Sequence, residues 1–93
     1  MLDLNTYLNK TLEVKIGEEI VHVKDLSYAM WQELGGKATT LDEQLDFVAR
    51  AMSNNTEGRD FTATELAKLP KPAVEAILGA LIKSGSAAVS DPN

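Results

Sequence analysis

The chain has 93 residues, nine basic and fourteen acidic side chains, a formal charge of −5 and no cysteine. That length supports one modest core, so stability near the low end for single domains is expected, and association with a partner is a natural remedy. The charge disfavours phosphate backbones and anionic lipid, the missing cysteine excludes disulfides, thiolate zinc sites and a cysteine nucleophile, and no apolar run approaches the roughly 20 residues that span a bilayer.

The start Met1-Leu2-Asp3 has neither the basic end nor the apolar run of a secretion signal, which predicts a cytoplasmic protein. The first ten residues mix Leu2, Leu4, Tyr7 and Leu8 with Asp3, Asn5, Thr6 and Asn9. One turn of helix and a segment lying on the core are both open readings. The pattern sharpens next, because Leu12, Val14 and Ile16 alternate with Thr11, Glu13 and Lys15 before Gly17-Glu18 interrupts the run. This predicts a hairpin with a two-residue loop, a form that favours glycine first. Val14 then faces Val21, Leu12 faces Val23 and Glu13 faces His22, leaving one face apolar. A three-residue loop would put His22 beside Val14 and spoil that face.

At residues 20–34 the period changes from two to about 3.6, which predicts a strand running into a helix. Asp25 or Ser27 can cap the helix, Leu26, Met30 and Leu34 share one face, and Gly35-Gly36 ends it. Thr40-Leu41-Asp42-Glu43 reads as a capping box opening a second helix. Its apolar face is Leu41, Leu45, Val48 and Met52, with Phe47 and Ala51 on the flank, and Asp46 can pair with Arg50 on the wet side. Residues 53–60 are polar and aperiodic, so an exposed, mobile loop is expected.

Thr62-Ala63-Thr64-Glu65 reads as a second capping box, with Phe61 and Leu66 at the hydrophobic-staple positions and the helix stopping at Leu69 before Pro70. Pro72 suits the first turn of a last helix striped by Val74, Ile77, Leu78, Leu81 and Ile82, with Gly85 as its end cap. The back of this helix carries Ala76, Gly79 and Ala80 where charges are expected. Small residues there admit another backbone, although alanine is also simply a good helix former. Gly79 costs roughly 1 kcal/mol against alanine in a helix interior, so its presence asks for a reason. With Lys83, Tyr28 and Trp31 these residues make the candidate interface. The fold class is α+β: a mainly helical domain over residues 1–85 with an N-terminal β-hairpin packed on about four helices, and a flexible tail at 86–93.

Catalytic chemistry finds little support. His22, the only histidine, lies opposite Glu13, where a cross-strand pair is the plain reading. Glu18-Glu19 fall in a turn, and Asp42-Glu43 in a helix's first turn, where anions favour the dipole. No phosphate loop, metal-ligand spacing or nucleophile motif is present. A non-enzymatic protein with no cofactor and no metal is expected, and Tyr28, Met30 and Trp31 read as core before they read as a cradle.

Residues 61–69 followed by 73–85 resemble the helix-turn-helix of winged-helix regulators. The supposed recognition helix offers only Lys71, Glu75 and Lys83 as charged groups, and no arginine, asparagine or glutamine to read base edges. A small DNA-binding regulator is therefore the alternative, beside a structural or adaptor protein of a phage tail.

A better resemblance starts at Leu12-Glu13-Val14-Lys15-Ile16-Gly17-Glu18-Glu19-Ile20-Val21-His22-Val23-Lys24-Asp25-Leu26-Ser27 and the helix with Trp31. Together with the helix from Leu41 to Met52, Phe61-Thr62-Ala63-Thr64-Glu65-Leu66 and Leu69-Pro70, it resembles the small tail assembly chaperones of long-tailed bacteriophages and prophages. The likeness covers residues 12–85 and is one of pattern. It implies a chaperone in the host cytoplasm that binds the tape-measure protein and keeps it soluble during tail morphogenesis. It further implies a homo-oligomer and the tail-tube protein as a further partner, while the acidic charge predicts no nucleic-acid or membrane partner.

Overall fold

The computed structural model describes residues 1–36 and 40–86. In chain order these hold α1 (Asn5–Leu8), β1 (Thr11–Ile16), β2 (Glu19–Lys24), α2 (Tyr28–Gly36), α3 (Leu41–Ser53), α4 (Ala63–Leu66) and α5 (Lys71–Ser86). The architecture is α+β, an antiparallel hairpin on a small helical layer. No described helix is long and apolar enough to cross a membrane.

The hairpin has the expected register, with Leu12 opposite Val23, Glu13 opposite His22 and Val14 opposite Val21. Its two-residue loop needs a left-handed first residue, and Gly17 supplies it at φ 62°. Val21 and Val23 are then fully buried, while Leu12, Val14 and Ile16 are half-buried against the same core. That core is filled from α3 by Phe47, Val48 and Met52, from α4 by Leu66 and from α5 by Ile77 and Leu81. Fully burying an aliphatic or aromatic side chain contributes about 1.5–3 kcal/mol. These few side chains therefore supply most of the driving force in so short a chain.

Four expectations are corrected. Residues 53–60 are mostly exposed as expected, but they form a built arm along β2: Lys24 N–H donates to Asn54 O at 2.9 Å, and Thr56 N–H donates to His22 O at 3.0 Å, bracketing a bridge between Val23 and Asn55. Asn55 is buried and uses its whole amide: Nδ2 donates to Met52 O and Arg59 O, both at 2.7 Å, and Oδ1 accepts from the Glu57 and Arg59 amides. Polar composition here marks a segment whose backbone and side chains satisfy each other, which is what permits its partial burial.

The apolar stripe of α3 is also rotated. Phe47 is completely buried whereas Leu41 is 62% exposed, because the first turn of α3 overhangs the core. In α4, Thr62 Oγ1 accepts from Glu65 N–H at 3.1 Å, and the Glu65 carboxylate is shared between the Thr62 amide and Arg59. The helix ends at Leu66, and the staple pair Phe61 and Leu66 is buried as the spacing predicts. Finally, α5 runs through Gly85 to Ser86. A Cβ on Gly85 would stand 2.7 Å from Trp31 Cζ2, so the glycine admits the indole and does not cap the helix. Of the expected tail at 86–93, Ser86 is instead the last residue of α5, and residues 87–93 lie outside the described residues.

The remaining joints are polar and specific. Ser27 Oγ accepts from Met30 N–H at 3.2 Å and caps α2, while Asp25 ties Lys10 at 3.4 Å to Ser84 Oγ at 2.9 Å. The Thr40 capping box forms in full. Arg50 pairs through Nε with Asp46 at 3.0 Å within α3 and reaches Glu33 of α2 with both terminal guanidinium nitrogens, which clamps the two helices together. Arg59 lies 4.2 Å from the Phe61 ring centroid and bridges Glu19, at 2.8 Å, to Glu65. α1 buries none of its residues and leaves Leu4, Tyr7 and Leu8 exposed, so it does not fill the core.

Candidate protein-binding site

The overhang of α3 creates a groove. Thr40 fixes where the helix starts, so Leu41 and Leu45 stand one turn apart along its mouth. Opposite them, the turn after α4 brings Leu69 beside Leu66, and Pro70 starts α5 so that Val74 closes the far wall. The space is about 320 Å³. Its walls are aliphatic and its rim is Gln44, Lys71 and Glu75, the last two paired at 3.0 Å. An apolar trough with a polar lip fits the hydrophobic face of a helix, the usual arrangement when an amphipathic segment docks between helices.

The residues singled out in the sequence do not line this groove. Ala76 and Gly79 are exposed on the outer side of α5, with open space above Gly79; Ala80 is half-buried, and Lys83 is exposed beyond them. Tyr28 is 83% exposed at the start of α2, so of the three residues read as core only Met30 and Trp31 pack there. Trp31 is half-buried, packs on the core and covers Gly85, so α2 carries it to the last turn of α5. Trp31 and Gly85 belong instead to a second hollow of about 380 Å³, between Tyr7 and Leu8 on one side and Asp25 and Leu26 on the other. Leu41 fits the core stripe by its spacing, yet it lines the groove. The sequence signal that separates it from the stripe is its place in the first turn, where a helix often projects past the layer it packs on.

His22 has a structural role that sequence alone reveals only in part. Its Nε2 lies 3.4 Å from Glu13, the expected cross-strand partner, and its Nδ1 lies 2.7 Å from Glu57 of the arm. Glu57 also accepts from the His22 amide at 2.8 Å. The hydrogen bond to Glu57 raises the imidazole above its ordinary value, and the His22 amide and ring together lower Glu57 to about 2. Such an arrangement holds a charge pair that pins the arm to β2. Among the described residues no group of three or more His, Asp or Glu side chains is placed to hold a metal ion.

Comparison with known proteins gives no match to a protein family, to a curated protein or to a solved structure.

Proposed function

We propose that this chain is a non-enzymatic tail assembly chaperone of the long-tailed phage kind, which binds the tape-measure protein in the host cytoplasm and keeps it soluble until tail-tube subunits take its place. The observation that carries the reading is the groove of Leu41, Leu45, Leu66, Leu69 and Val74, an aliphatic trough on an otherwise acidic protein. A tape-measure protein is long and helical, and its apolar faces need cover before assembly. A trough between helices can take one such face, and a net charge of −5 keeps the loaded complex dispersed. The resemblance over residues 12–85 points the same way.

The test is co-expression with the tape-measure protein, whose very long gene is expected to follow the chaperone gene. Wild-type chain should keep it soluble and elute with it. Leu41→Glu, at an exposed position that the fold does not need, should lower the soluble yield at least tenfold while its own circular dichroism is unchanged. A tape-measure protein that is equally insoluble with and without the chain overturns the reading.

A further inference from the structure

The two edges of the hairpin are treated differently. Because the two-residue loop closes on the pair Ile16 and Glu19, hydrogen-bonded and non-bonded pairs alternate from there. Ile20, His22 and Lys24 therefore turn their backbone groups away from β1, and Thr11, Glu13 and Lys15 turn theirs away from β2. The outer edge of β2 is taken up at its far end, Lys24 N–H by Asn54, His22 C=O by Thr56 and His22 N–H by Glu57, while Ile20 beside the turn keeps its outward groups open. The outer edge of β1 is bare. Among the described residues no hydrogen bond reaches the outward groups of Thr11, Glu13 or Lys15, and Lys15 has no ion pair. An unprotected edge of this kind is a template for another strand.

We propose that β1 pairs antiparallel with β1 of a second copy about a two-fold axis through Val14, forming a four-stranded sheet in a closed dimer. The side chains select this occupant and this register. With the axis at Val14, Glu13 of each copy stands opposite Lys15 of the other, in hydrogen-bonded pairs whose outward groups meet. On the other face Val14 meets its own copy and Leu12 meets Ile16, three half-buried positions already packed on the core. Sliding by two residues either way sets Glu13 against Glu13 or Lys15 against Lys15, and a parallel arrangement also brings like beside like. The edge is thus locally neutral and self-complementary on a chain whose charge of −5 opposes association elsewhere. Closure follows from the arm: it blocks β2 at His22 and Lys24 and leaves only Ile20 open there, too short a stretch for a strand. Among the described residues β1 is thus the one edge open along its length, and the isologous pair stops at two.

The pairing does not rest on the tape-measure reading. It is tested by sedimentation velocity of purified full-length chains across a wide concentration range, with circular dichroism as the folding control. Wild type should pass from monomer to dimer and no further. Glu13→Lys and Lys15→Glu each place like charges opposite one another twice, and each should weaken the dimer at least tenfold. The double variant Glu13→Lys with Lys15→Glu should restore it, and an equimolar mixture of the two single variants should form the mixed dimer. Ala80→Glu, on the back of α5, should dimerise as wild type does. Monomeric wild type at every concentration, single variants that dimerise normally, or a mixture that fails to recover each overturns the proposal. Co-expression solubility tests the groove separately, so a failed dimer and a failed groove are told apart.

Discussion

His22 of β2 and Glu57 of the arm, 35 residues apart in sequence, meet at 2.7 Å. The imidazole is also 3.4 Å from Glu13, so it sits between two carboxylates at the point where strand and arm join. Because the folded value of His22 is raised, its contribution is complete below its ordinary 6.5 and fades as pH climbs through the raised value. The folded value of Glu57 is lowered to about 2, so its contribution is complete above its ordinary 4.5 and is lost as pH falls toward about 2. Both conditions hold between about 4.5 and 6.5. Glu57→Gln keeps the shape and removes the charge. Urea midpoints of wild type and variant should differ most near pH 5.5 and by less at alkaline pH, where the His22 amide still bonds Glu57 but the imidazole is neutral, and a difference that is flat with pH would show that the charge pair does not hold the arm.

Asn55→Ala should be the most damaging single change outside the apolar core. It removes an amide that makes four hydrogen bonds and leaves the carbonyls of Met52 and Arg59 without their donor. An unsatisfied buried group costs about 1–3 kcal/mol, so a loss of about 2 kcal/mol or more is expected. Hydrogen exchange gives a local readout. The Lys24 amide, which bonds Asn54, should lose protection far more than Val21 or Val23, whose amides face β1. Equal exchange in variant and wild type at Lys24 would mean the arm stands without Asn55.

How far the sequence predicts this fold depends on where each signal is local. The hairpin register follows from a period of two and one glycine, and the cap of α3 from Thr40 and Glu43, because those interactions close within a few residues. Long-range joints leave no such mark. Asn55 looks like any loop asparagine until β2 lies beside it, and Glu57 acquires a role only from a histidine 35 positions earlier. The groove is subtler. Leu41 fits the helical stripe by spacing, but whether a neighbour covers it depends on how far the first turn of α3 reaches past the elements it packs on, and there it is 62% exposed. Gly85 misleads for a related reason: a glycine late in a helix usually ends it, and only the packing of Trp31 shows that space is the requirement.

Two glycines of α5 make opposite predictions from one propensity argument. Alanine is favoured over glycine within a helix by about 1 kcal/mol. At Gly79 a Cβ would meet nothing within 4 Å, so Gly79→Ala should take the full gain and raise the melting temperature by roughly 4–8 °C for a domain of this size. At Gly85 the same Cβ would stand 2.7 Å from Trp31 Cζ2 and 3.1 Å from Nε1. The ring is rigid, so it must turn away and give up its packing on the core. Overpacking of this kind costs about 1–3 kcal/mol, which outweighs the propensity gain. Gly85→Ala should therefore melt below wild type and shift the emission of the only tryptophan to the red, since the indole moves toward water. A Gly85→Ala protein that is stabilised like Gly79→Ala, with unchanged emission, would show that the helix end and not the indole sets the requirement at that position.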